Sequence, residues 1–187
     1  MLTPPKVSPP PAAPSKTADP PDDSKAAKRA KSREQRKAAA NRVPKPVVGD
    51  MAPIWELKDI DGKKHTLTDY RGKVVFIDYW ATWCGMCRKA RPVLKKLHEQ
   101  FKTNKDVAFI SINCLEKGDK PLAELKRYGY TYPQMLNGSK TYRQYGVKSL
   151  PTFVILDKTG KIVHRSSGFD DDLVDKMSKV IKKTLAR

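Results

Sequence analysis

The chain is short of what several protein classes require. Only three cysteines occur among its 187 residues, an odd number and too few for a secreted scaffold stapled by disulfides. A structural zinc site usually takes four ligands, and only Cys84 and Cys87 are spaced like half of one. No run of 18 apolar residues occurs, which excludes a membrane-spanning helix. The start, Met1-Leu2-Thr3-Pro4-Pro5, has no apolar core of a signal peptide. That leaves two readings open, a cytosolic chain or one that begins after a removed signal or anchor. Acidic residues are scarce as well: 20, against 38 lysines and arginines, for a net charge of +18.

Residues 1–46 lack aromatic residues altogether and hold 10 of the 15 prolines, with 11 basic and 4 acidic side chains. A segment with so little to bury cannot offset the entropy of ordering itself, so a disordered Pro/Ala/Lys-rich basic tail or linker is expected there. Residues 1–21 favour extended, polyproline-like conformations. Residues 22–42 are good helix formers without an apolar stripe, which predicts only a transient helix. Val43-Pro44-Lys45-Pro46 ends this segment, and one globular domain is expected over 47–187.

Within that domain the hydrophobic pattern predicts an α/β arrangement. Ile54–Leu57 and Lys64–Leu67 read as two short strands around an Asp61-Gly62 turn. Val74-Val75-Phe76-Ile77-Asp78-Tyr79 is the continuous apolar run of a strand covered on both faces. Val93, Leu94, Leu97 and Phe101 recur at helical spacing after Cys84. Val107–Asn113 reads as the next buried strand and Pro121–Tyr128 as the next helix. Thr152–Leu156 and Lys161–Ser166 flank the turn Asp157-Lys158-Thr159-Gly160, and a final helix follows Asp170-Asp171-Asp172 with Leu173, Met177, Val180 and Ile181 on its apolar face. Parallel strands therefore come first, and an antiparallel hairpin closes a mixed sheet.

The chemistry is concentrated in Asp78-Tyr79-Trp80-Ala81-Thr82-Trp83-Cys84-Gly85-Met86-Cys87. A strand ends, a short loop follows, and Cys-x-x-Cys falls where a helix begins. Two intervening residues in a first helical turn let the sulfurs close a disulfide or part as thiols with little backbone movement. The free N–H groups and macrodipole of the helix start stabilise a thiolate. Cys84 is expected to be the exposed nucleophile and Cys87, one turn deeper, the resolving thiol. Zinc binding competes for any Cys-x-x-Cys, but no second pair follows and the flanks are aromatic. Asp78 lies inside an apolar run, where desolvation should raise its pKa and make it a proton acceptor for Cys87.

Three motifs in register, Trp83-Cys84-Gly85-Met86-Cys87, Pro92 in the following helix and Ser149-Leu150-Pro151-Thr152 before a late strand, resemble the thioredoxin superfamily. The preceding hairpin, Gly72-Lys73-Val74-Val75, Arg88-Lys89 and Tyr145-Gly146-Val147 are similar to its TlpA-like branch of extracytoplasmic thiol–disulfide oxidoreductases. The resemblance covers about residues 48–185 and leaves the tail outside. It implies a thioredoxin-like fold, a central mixed sheet flanked by helices, with an N-terminal β-hairpin extension. It also implies a cis Leu150–Pro151 peptide facing the disulfide, in a loop that pairs with substrate backbone. Trp83, Gly85, Met86, Leu150 and Pro151 are then the substrate-binding residues, with Cys84, Cys87 and Asp78 catalytic. The position of Asp78 matches the buried acid of thioredoxins. Two departures stand out. Ala90 replaces a glutamate common in the branch, and Met86 stands where proline usually precedes the second cysteine.

The resemblance implies exchange with protein thiol or disulfide substrates and an upstream redox partner, by an extracytoplasmic, periplasmic enzyme; the motif supports donor and acceptor alike, and a reductant and a monomer are expected. No cofactor is needed, since the cysteines carry the electrons. Cu(I) handling through Cys84, Met86 and Cys87 is one alternative. Binding of anionic surfaces by the eight lysines and arginines of residues 25–42 is another, without specific nucleic-acid recognition. A thiol peroxidase is a third, although no Pro-x-x-x-Thr-x-x-Cys arrangement occurs. Arg88, Lys89 and Arg91 are expected to be solvated helix charges, Cys114 a packed and inert thiol, and His65, His98 and His164 surface residues.

Overall fold

The computed structural model describes residues 45–116 and 120–187. The tail expected over 1–46 falls outside them apart from Lys45 and Pro46. Pro46 is buried, and the Lys45 ammonium donates to the Arg143 carbonyl at 2.8 Å.

The strand with the longest apolar run lies at the centre. β3 (Val74–Trp80) is buried at every residue. It runs parallel to β4 (Val107–Asn113), pairing Val74 with Val107 and Trp80 with Asn113. On its other side it is antiparallel to β6 (Thr152–Leu156), where Asp78 faces Phe153. β5 (Gln134–Met135) adds in parallel beyond β4 and β7 (Ile162–Ser167) in antiparallel beyond β6, giving the order β5-β4-β3-β6-β7. The five-stranded mixed sheet thus has the expected thioredoxin-like form.

The alternation of side chains along β3 divides the core. Val74 and Phe76 pack with Leu94, Leu97 and Phe101 of α1 (Gly85–Phe101) and with Met177 and Ile181 of α4 (Leu173–Leu185). Val75, Ile77 and Tyr79 point the other way, onto Ile110, Ile112, Val154 and Leu156. Asp78 and Trp80 therefore share the α1 face. Lys120–Tyr128 forms α2, one residue longer than expected at its start.

The early hairpin is shorter than the alternation suggests. β1 (Glu56–Lys58) pairs with β2 (Lys64–Thr66), and a 3-10 turn over Leu67–Tyr70 follows. Ile54 stays exposed outside the strand while Trp55 is buried in the core. The Ile60 N–H donates to the Gln134 carbonyl at 3.1 Å, which ties the hairpin to the sheet edge at β5.

β5 and the six-residue α3 (Ser139–Gln144) were not legible as elements. His65, expected at the surface, is buried instead. One ring nitrogen lies 2.8 Å from Asp59 and the other 2.8 Å from the Tyr70 hydroxyl, so the hairpin holds it in a polar relay. His98 and His164 are half-buried as well, His98 edge-on against Phe109 at 5.1 Å.

Candidate active site

β3 ends at Trp80, and the chain turns through Ala81-Thr82-Trp83 into α1, whose N-cap is Cys84. Cys84 keeps an extended backbone, and its sulfur accepts the Cys87 N–H at 3.1 Å, so the nucleophile candidate also caps the helix. Cys84 and Cys87 are joined as a disulfide with Cα atoms 5.2 Å apart. Cys84 is the more accessible of the two, at 6% against 2%, but it is not the exposed residue expected. In the closed disulfide its sulfur is turned onto the helix end and shares a cluster with Trp80, Ala81, Cys87 and Leu125. What reaches solvent is the rim, with Trp83 60% and Met86 42% exposed.

The Leu150–Pro151 peptide is cis, Pro151 is buried, and Leu150 packs against the cluster that holds both cysteines. The fold therefore brings Cys84, Cys87 and Leu150 together, with Trp83, Gly85 and Met86 on the same loop and helix start. Gly168 fastens the proline loop by donating its N–H to the Pro151 carbonyl at 2.9 Å.

Asp78 lies one pleat below Trp80 on the same face. It is 2% exposed; one oxygen accepts from the Ser111 hydroxyl at 3.2 Å, and the other has no partner among the described residues. Burial pushes its pKa up to about 6, against the pull of Arg91 and of the Ser111 hydrogen bond.

Arg91 corrects the expectation of a solvated helix charge. It is 2% exposed, with its guanidinium carbon 3.4 Å from the centre of the Trp80 ring and 5.0 Å from that of Tyr130. Nothing in the local sequence distinguishes it from Arg88 and Lys89, which are exposed. The aromatic rings that cage it arrive from β3 and from the chain after α2.

Glu116 was missed too. Its carboxylate accepts the Thr82 N–H at 2.7 Å, the Thr82 hydroxyl at 2.5 Å and the Asn113 side-chain amide. It thereby holds the loop that leads into Cys84. Cys114 is buried, and its thiol is pushed up to about 12, chiefly by that burial, as suits a packed and inert cysteine. Among the described residues no group of three or more His, Cys, Asp or Glu side chains is placed to hold a metal ion.

The AhpC/TSA family profile matches residues 48–165, from the first described segment through the middle of β7. The chain belongs to the AhpC/TSA family. Within that family it is similar to the thiol-disulfide oxidoreductase ResA of Geobacillus thermodenitrificans, at 35% identity over 62% of this chain and 66% of that protein. It is also similar to the thioredoxin-like protein YneN of Bacillus subtilis, at 35% identity over 61% of this chain and 68% of that protein. The alignments thus span about two thirds of these relatives. A solved structure assigned as the thiol:disulfide interchange protein DsbE of Chlorobium tepidum superposes with a TM-score of 0.69. It has 28% identity and covers 74% of this chain and 98% of its own. This family member is a TlpA-like thiol–disulfide oxidoreductase of thioredoxin-like fold.

Proposed function

We propose that the protein reduces disulfides in protein substrates, with Cys84 as nucleophile, Cys87 as resolving thiol and Asp78 as proton acceptor. The observation that carries this reading is the placement of the pair. Cys84 caps α1 beneath the Leu150–Pro151 loop, and an apolar rim of Trp83 and Met86 opens to solvent. The Cys84 thiolate, stabilised at the helix start, attacks a substrate disulfide. One S–S bond breaks as another forms, and one substrate sulfur leaves as a thiolate, which takes its proton from solvent. Cys87 then gives its proton to Asp78 and attacks the mixed disulfide at Cys84, so the second substrate sulfur leaves. Two electrons have passed to the substrate, the Cys84–Cys87 disulfide has formed, and an upstream dithiol restores the pair.

Gly85, Met86, Trp83, Leu150 and Pro151 form the substrate contact in this reading, with the proline loop pairing to substrate backbone. The reduction potential of the Cys84–Cys87 pair decides between the reductant and the oxidant direction. In this reading the enzyme works outside the cytoplasm, in the periplasm, as a monomer. Among the described residues no helix is long and apolar enough to cross a membrane.

Insulin reduction with single-cysteine variants tests the roles. Cys84→Ser should abolish exchange, and Cys87→Ser should accumulate mixed disulfides at Cys84. Normal turnover by Cys87→Ser would remove it as the resolving thiol. A reduction potential near about −270 mV supports the reductant direction, and one near about −120 mV reverses it.

A further inference from the structure

Arg91 is a buried cation with no carboxylate in direct contact among the described residues. Among the described residues its Nε and one terminal nitrogen have no hydrogen-bond acceptor, and an oxygen of Asp78 on the neighbouring strand likewise has no donor. A guanidinium buried without an anion nearby is strongly disfavoured, so its placement asks for a compensating charge. Trp80 and Tyr130 supply part of the compensation through their ring faces, at 3.4 and 5.0 Å, and Tyr128 a third face at 5.6 Å. The rings also fix where the charge sits. Arg91 lies one turn beyond Cys87 on α1, over the β3 face that carries Asp78 and Trp80.

We propose that Arg91 is a positioning residue of disulfide exchange: its caged guanidinium is the fixed positive charge that faces Asp78 and keeps this carboxylate able to accept the Cys87 proton. The inference rests on the functional reading above and extends it to a residue outside the Cys-x-x-Cys and proline loops. Among the described residues the surroundings of Asp78 leave Arg91 as its cation. β4 offers the Ser111 hydroxyl and, just past its end, the Cys114 thiol. The chain after α2 offers the Tyr130 and Tyr132 hydroxyls, both held neutral by burial. β6 offers apolar Phe153, and α1 offers Cys87 and Arg91. Asp78 feels Arg91 as the charge that opposes its desolvation.

The test is a carboxyl titration of Asp78 by NMR in the full chain with the disulfide closed, paired with the pH profile of mixed-disulfide resolution. In Arg91→Met the Asp78 midpoint should rise by about one pH unit, and resolution should slow by about twofold at pH 7 and by about fivefold at pH 6, as the ionised fraction of the acceptor falls. Arg91→Lys, which keeps the charge, should titrate like wild type. In an Asp78→Asn background Arg91→Met should leave the pH profile where Asp78→Asn alone puts it. If Arg91→Met does not fold, Arg91→Gln is read in the same way. An unmoved Asp78 midpoint on loss of the charge overturns the proposal. So does an equal shift in Arg91→Lys, which would make the effect one of packing. Failure of the wild-type protein to exchange disulfides overturns the functional reading itself, and the titration keeps the two failures apart.

Discussion

Asp78 is the residue at which stability and chemistry pull apart. A carboxyl that titrates near 6 in the fold and near 3.8 when unfolded is one whose ionised form the fold disfavours. Below pH 3.8 both states hold the proton, and the residue costs the fold nothing as a charge. As pH rises from 3.8 towards 6, the unfolded chain ionises first, so stability falls through that window and stays lower above it. Asp78→Asn should therefore raise stability at pH 7.5, by on the order of 3 kcal/mol, and leave it near the wild-type value at pH 3.5. Urea denaturation midpoints at the two pH values check this. The same variant should slow resolution by Cys87 at neutral pH, because its amide cannot take the proton. Asp78 was legible in the sequence because a charge inside Val74-Val75-Phe76-Ile77-Asp78-Tyr79 has nowhere to reach solvent. Arg91 was not, because a cation on an amphipathic helix is ordinarily solvated, and the rings that bury it come from elsewhere in the chain.

The elements divide along the same line. β3, β4 and α1 carry long apolar runs or strict helical spacing, and their observed bounds lie within a residue or two of those the pattern predicts. β5 has two residues, too few to show a period. α3 reads Ser-Lys-Thr-Tyr-Arg-Gln and has no side-chain cap, so neither hydrophobicity nor capping announces it. Both exist because tertiary contacts hold them. The backbone between them passes close over the end of β4, where the Gly138 N–H donates to the Asn113 carbonyl at 2.8 Å. A Cβ on Gly138 would run into Ile112 Cγ2 and come within 2.9 Å of the Asn113 carbonyl oxygen. Gly138 is required here by close approach and not by its backbone angle, which is an ordinary −72°. Gly138→Ala should destabilise the fold by about 1–3 kcal/mol, read as a lower urea midpoint at unchanged slope. The consequence reaches the site, since Asn113 holds Glu116 and Glu116 holds Thr82 before Cys84. Exchange should slow in this variant even where it remains folded.

At the scale of the whole molecule, charge is the property that neither the fold nor the disulfide requires. Residues 47–187 alone carry 27 lysines and arginines against 16 acidic side chains, and the exposed Arg88 and Lys89 stand beside the cysteine pair. A surface field of one sign raises the encounter rate with partners of the opposite sign, and salt screens it with a length of about 10 Å at 0.1 M. The effect belongs to approach and leaves the exchange step itself alone, because the reacting sulfurs are buried among Trp80, Ala81 and Leu125. Reduction of an acidic protein disulfide should therefore lose kcat/KM, by about tenfold or more, as salt rises from ~10 to ~150 mM. A neutral small disulfide such as hydroxyethyl disulfide should show no such loss. Stopped-flow rates with the two substrates across the salt series separate the possibilities. Equal salt dependence for both would place the effect in the thiolate at Cys84, whereas a dependence confined to the acidic protein assigns it to steering by the basic surface.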